Sequence, residues 1–126
     1  MVNKNNIDLM SGYDVHIQLM AELGTVVSCP FVHFVKVPKD VLEGKENLPC
    51  LLFYPLDKDY EISIKLEKDD GDKNVILYVE PILMAIALAY QKLAKNGCLR
   101  NHDLSDLYIE RLELVDGDYL VVYVGS

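Results

Sequence analysis

YEISIKLEKDDGDKNVILYVEPILMAIALAYQKLAKNG, residues Tyr60 to Gly97, holds two strand patterns and one helix pattern in immediate succession. Tyr60, Ile62, Ile64 and Leu66 alternate with Glu61, Ser63, Lys65 and Glu67. Successive strand side chains face opposite ways, so this stretch predicts a half-buried strand with one wet face. After KDDGDKN comes VILYVE, rich in β-branched and aromatic residues and apolar on both faces, which places it deeper in a sheet. Strand, polar Asp-Gly loop and strand together predict a hairpin. The segment that follows reads as a helix over about residues 81–96. Pro81 suits its first position, where a missing N–H costs nothing, and Gly97 suits its stop. Lys92 and Lys95 fall in the last turns, beside the negative end of the helix dipole. From Ile82 to Tyr90 the helix is apolar all round, so it is expected to be covered on more than one side. The sheet supplies one cover, and the N-terminal segment or a second copy of the chain supplies the other.

A second hairpin lies downstream: LYIERLELV, then Asp116-Gly117, then DYLVVYV. Asp-Gly favours the two positive φ angles of a type I′ turn. Leu107 and Ile109 share one face, yet the next apolar residues are Leu112 and Leu114, so a β-bulge is predicted at Glu110-Arg111. The last arm is apolar on both faces, as a central or interface strand would be. Upstream, SGYDVHIQLMAELG (residues 11–24) reads as a helix capped by Ser11 and ended by Gly24. It also alternates as a strand through Tyr13, Val15, Ile17, Leu19, Ala21 and Leu23, but Met20 to Leu23 are strong helix formers and favour the helix. TVVSCPFVHFVKVP is a strand interrupted by Pro30. PKDVLEGKENLP is a loop with one helical turn, and CLLFYP is a short buried strand. The expected fold is one α+β domain over residues 1–126, an antiparallel sheet of five or six strands with the long helix between hairpins and an N-terminal helix beside it.

With 126 residues, 51% apolar and 25% charged, the chain can bury a core without metal or disulfide staples. Twelve basic against 20 acidic side chains give a net charge of −8. Phosphate neutralisation needs a basic surface, so nucleic-acid and anionic-membrane partners are not expected. The odd set Cys29, Cys50 and Cys98 shows no disulfide framework and suits a reducing compartment. MVNKNNIDLM carries no leader pattern. Ile82 to Tyr90, the longest apolar run, is far short of the roughly 20 residues that cross a bilayer. A cytoplasmic location is the expectation.

KDDGDKN invites a calcium reading, which the sequence does not sustain. An EF-hand loop carries Glu six residues after its Gly, and Leu77 stands there after Gly71. Asp57 and Asp59 are about eight strand residues from the Asp69, Asp70 and Asp72 cluster, roughly 27 Å, so they form no carboxylate pair. Cys29 and His33 on one strand are about 13 Å apart, too far to share a zinc ion. No metal and no cofactor is expected, and dinucleotide, P-loop and nucleophile-elbow motifs are missing. The most polar connection, GCLRNHDLSD, carries Cys98, Arg100, His102 and Asp103. A cysteine with a nearby histidine is the pattern of an activated nucleophile. The same composition suits a solvated helix-to-strand loop, with Asn101 or Asp103 capping a turn. Eight tyrosines without tryptophan include Tyr78, Tyr108, Tyr119 and Tyr123 on predicted strands, where tyrosine packs well.

In size, acidity and mixture of helix and antiparallel sheet the chain is comparable to small secretion chaperones and small bacterial immunity proteins, a likeness of class that no motif carries. The functional expectation is a small acidic, non-catalytic protein-binding protein of inhibitor, immunity or chaperone kind, whose partner is another protein or a second copy in a homodimer. The alternative is a small enzyme or small-molecule-binding domain with a pocket near Cys98 to His102. A nucleic-acid mimic ranks last, because lysines intersperse the carboxylates along DKDYEISIKLEKDDGDK.

Overall fold

The computed structural model describes residues 6–10, 17–19 and 34–126. Its elements are β1 (Ile7–Asp8), β2 (Ile17–Gln18), β3 (Phe34–Pro38), a single turn α1 (Lys39–Leu42), β4 (Asn47–Leu52), β5 (Tyr60–Lys65), β6 (Lys68–Asp70), β7 (Asn74–Tyr78), the long helix α2 (Glu80–Lys95), a 3-10 turn (Leu104–Asp106), β8 (Tyr108–Val115) and β9 (Tyr119–Gly125). The fold is mixed α+β with two sheets. The larger runs β1-β8-β9-β4-β5, with β2 also paired to β8, and the smaller runs β3-β7-β6. One pairing in the larger sheet, β4 with β9, is parallel. None of the described helices is long and apolar enough to cross a membrane.

The opening stretch divides between the sheets. β5 pairs with β4, from Asn47↔Lys65 to Leu52↔Tyr60, and not with the strand that follows it. Leu66 N–H donates to Glu46 O in the larger sheet, while Glu67 O accepts from Tyr78 N–H in the smaller one. One alternating run therefore changes sheets between adjacent residues. The hairpin expected around KDDGDKN is real but short, β6 with β7, closed by Gly71 N–H donating to Asn74 O.

The second hairpin forms as its sequence implies. Asp116 and Gly117 have φ of 56° and 69°, the signs a type I′ turn requires. The β8–β9 register shifts between Ile109 and Arg111, which leaves Glu110 as the bulged residue. β9 lies between β8 and β4 and is central. α2 opens with Pro in its first turn. It closes in a Schellman motif: Gly97 at φ 74° donates to Ala94 O, and Cys98 N–H donates to Leu93 O.

The core gathers Ile82, Leu83, Ile86, Ala87 and Tyr90 of α2 against Cys50 and Leu52 of β4, Ile109, Leu112 and Leu114 of β8, and Leu120 and Val122 of β9. Burial without a charged neighbour pushes the Cys50 thiol up to about 12. The opposite flank of α2, with Leu88 40% exposed, is not covered by described residues. The helix expected over residues 11–23 falls mostly outside the described residues. Within it Ile17–Gln18 is a strand, because the edge of β8 supplies backbone partners at Ile109 and Tyr108. Cys29, His33 and His16 also lie outside the described residues.

Candidate functional site

Beyond Leu52 the chain leaves β4 and runs through Phe53-Tyr54-Pro55-Leu56-Asp57, which meets the connection after α2. Both segments are irregular, and what joins them is a short backbone ladder. Arg100 N–H donates to Pro55 O at 2.7 Å, Asp57 N–H donates to Cys98 O at 2.9 Å, and Leu56 bridges Leu99. The Arg100 guanidinium adds a bond to Asp57 O at 3.0 Å. From beneath, the buried Tyr90 of α2 donates its hydroxyl to Tyr54 O at 2.9 Å, so the helix itself holds the loop. Burial pushes the Tyr90 phenol upward, which keeps it a donor.

On the outer side the two segments form an open hollow of about 450 Å³, lined by Phe53, Tyr54, Pro55, Leu56, Arg100, Asn101 and His102. Tyr54 and His102 meet edge to face, ring centroids 5.3 Å apart. The hydrogen bonds assign the imidazole tautomer. Nδ1 lies 2.9 Å from Asn101 O, a carbonyl that only accepts, so Nδ1 carries the proton. In the neutral ring Nε2 then accepts from the Tyr54 hydroxyl at 2.6 Å, which leaves Ser126 Oγ, 3.3 Å away, to donate to that hydroxyl oxygen. Asn101 takes φ 52°, a left-handed conformation that asparagine tolerates, and this aims its carbonyl at the ring.

Arg100 and His102 thus share the hollow, whereas Cys98 sits behind it, half-buried beside Tyr60. The Tyr60 hydroxyl donates to Asp57 Oδ1 at 2.8 Å and lies 3.3 Å from Cys98 Sγ. Those two contacts, the one with Cys98 first, raise the Tyr60 pKa. Cys98 and His102 therefore bond different partners, the thiol a phenol and the Asn96 carbonyl, the imidazole Tyr54 and Asn101. Asp103 is outside the hollow, at the cap position of the 3-10 turn, where its backbone oxygen accepts from Asp106 without a side-chain bond. Among the described residues no group of three or more His, Cys, Asp or Glu converges on a metal position. Phe53 and Tyr54, the exposed aromatic side chains of the hollow, carry no strand-breaking signal of their own. The signal was Pro55, which marks Tyr54 as extended or turn backbone and not as strand interior.

Neither the protein-family models, nor the curated proteins, nor the solved structures contain a match to this chain.

Proposed function

We propose that the protein is a small non-catalytic binding protein that engages another protein through the Phe53-Tyr54-Arg100-His102 surface. The observation that carries this reading is the exposure of two adjacent aromatic side chains, Phe53 at 39% and Tyr54 at 46%, on a loop braced by α2. Tyrosine, phenylalanine and arginine are enriched at protein interfaces, and tyrosine and arginine combine contact area with a polar tip. Bracing lowers the ordering cost on binding, because the Tyr54 ring is already held by His102. The net charge of −8 favours a basic partner and opposes nucleic acid.

The test is capture from a lysate of the source cells at low salt, with wild type and Tyr54→Ala/Arg100→Ala as parallel baits of matched thermal stability. A stoichiometric protein recovered by the first and lost by the second supports the reading. A partner held equally by both baits removes this surface from the proposal. A second reading, a small-molecule site, draws on the hollow itself, whose volume falls within the range of ligand pockets. It predicts a ligand whose binding quenches Tyr54 fluorescence and is weakened by His102→Ala, with no protein captured.

A further inference from the structure

The larger sheet ends on β5, and no described strand pairs with its outer edge. The direction of the backbone groups along that edge follows from one bond. Leu66 N–H donates to Glu46 O at 2.8 Å, and the register Asn47↔Lys65, Leu48↔Ile64 makes these two residues directly opposed. Hydrogen-bonded pairs alternate along an antiparallel ladder, so Tyr60, Ile62 and Ile64 direct their N–H and C=O to β4. Glu61, Ser63 and Lys65 turn theirs to the open edge.

Such an edge is a template for another strand. We propose that its occupant is β5 of a second copy of this chain, antiparallel, with the two Ser63 residues opposed on a two-fold axis. In this register the outward-directed residues meet one another: Glu61 opposes the partner's Lys65, Lys65 opposes the partner's Glu61, and each pair exchanges both its N–H···O bonds. Opposite charges therefore face each other twice on the wet face. On the other face Ile62 meets the partner's Ile64, and Tyr60 meets the partner's Leu66. Sliding by two residues one way sets Glu61 against Glu67. Sliding the other way leaves Glu61 opposite Ser63 and seeks a partner for Lys65 at Asp59, outside the strand. The self-complementary charge pattern thus selects one register.

The apolar flank of α2 lies along the same seam. Between α2 and β5 runs a groove of about 350 Å³ whose walls include Tyr60, Ile62, Ala85, Leu88, Ala89 and Leu93. A two-fold axis normal to the sheet keeps both helices on one face and turns Leu88 of each copy toward the other. The pairing covers the exposed Leu88 together with the β5 edge that no described strand occupies. It uses none of the residues of the Tyr54-His102 hollow, so dimerisation and partner capture succeed or fail separately.

Sedimentation equilibrium across micromolar concentrations provides the test, with charge swaps at the two positions that face each other. Wild type is expected to be a dimer, and Glu61→Lys or Lys65→Glu alone, which oppose like charges twice, weakens it about tenfold or more. The double variant Glu61→Lys/Lys65→Glu restores the affinity to within about threefold, a recovery that damage to the monomer fold does not produce. Ser63→Cys, in a Cys98→Ser background, is expected to form an intermolecular disulfide under copper-phenanthroline oxidation, since directly opposed residues of such a pair have Cα atoms about 5.5 Å apart. Glu61→Cys, whose own copy is displaced along the strand, does not cross-link. A wild-type monomer at all concentrations overturns the proposal. So does a dimer indifferent to all three charge variants in which Ser63→Cys fails to cross-link.

Discussion

Replacing Tyr90 by Phe removes one oxygen from the interior and leaves the ring packing untouched. That oxygen is the donor to Tyr54 O at 2.9 Å, from a side chain with no exposed surface. A hydrogen bond of this kind contributes about 0.5–1.5 kcal/mol net, and a carbonyl left wholly dry costs about 1–3 kcal/mol. The bond is part-buried and not wholly dry, so the expected loss is about 1–1.5 kcal/mol at pH 7. In a domain of 126 residues that corresponds to roughly a 4–6 °C drop in Tm, read by urea and thermal unfolding with an unchanged m-value. The pH dependence adds a second signature. Burial raises the Tyr90 pKa in the folded protein, so above its ordinary value of 10.0 the unfolded chain releases a proton that the folded chain retains. Stability from this group is therefore complete below pH 10 and falls as pH rises through the alkaline range. Phe has no proton to release, so the deficit of Tyr90→Phe narrows at up to about 1.4 kcal/mol per pH unit and closes near pH 11. A variant as stable as wild type at pH 7, or a deficit that stays constant to pH 11, refutes the argument that this hydroxyl ties the helix to the loop.

Gly117→Ala is expected to cost about 2 kcal/mol or more, because φ is 69° and a Cβ would overlap the Val41 carbonyl oxygen and approach Val41 Cγ1 to 2.7 Å. Gly97→Ala meets open space at φ 74° and is expected to cost only about 1 kcal/mol, so equal losses in chemical denaturation would contradict the packing of the turn on α1. Cys50→Ala removes a buried sulfur and is expected to lose about 1–1.5 kcal/mol at pH 7. The folded thiol's pKa stands at about 12 against an ordinary 9.0, so wild type loses this advantage as pH climbs through that window, and the two urea midpoints converge by about pH 10. Midpoints that remain parallel to pH 11 would show that the folded thiol ionises as readily as the unfolded one.

The parts legible in the sequence are those whose signals are local. Pro81 and Gly97 bracket the long helix to within a residue, and Asp116-Gly117 with the phase slip at Glu110 specifies the last hairpin and its bulge. What alternation does not carry is the identity of a strand's neighbour. Tyr60 to Leu66 specify two faces, one wet and one apolar, and these faces serve equally whether β5 pairs with β4 or with β7. The switch between sheets depends on Leu66 and Glu67 turning to different backbones. No side-chain pattern encodes that turn. The parallel pairing of Cys50 and Leu51 with Leu120 and Val121 is likewise silent, since an apolar run reads the same in either direction. For the candidate site, composition located Arg100 and His102 on one polar connection. Their aromatic partner was concealed, because Phe53-Tyr54 continues an apolar run and is separated from His102 by 48 positions.

The long helix shows where a hydrophobic pattern stops being informative. Its apolar circumference implies more than one covered flank, and the described structure accounts for one, against Cys50, Leu52, Ile109 and Leu120. A side chain such as Leu88 lowers its free energy by burial whatever apolar surface meets it, at about 25 cal/mol per Å². Burial alone therefore does not distinguish a segment of the same chain from a second copy. The discriminating information lies in groups that are directional. Along β5 the outward N–H and C=O groups of Glu61, Ser63 and Lys65 fit a strand, and the spacing of Glu61 and Lys65 about Ser63 fits one of the reversed charge order. A chain running antiparallel to itself has that order by symmetry, which is why the charge-swap pair, and not the apolar flank, is where the proposal can fail.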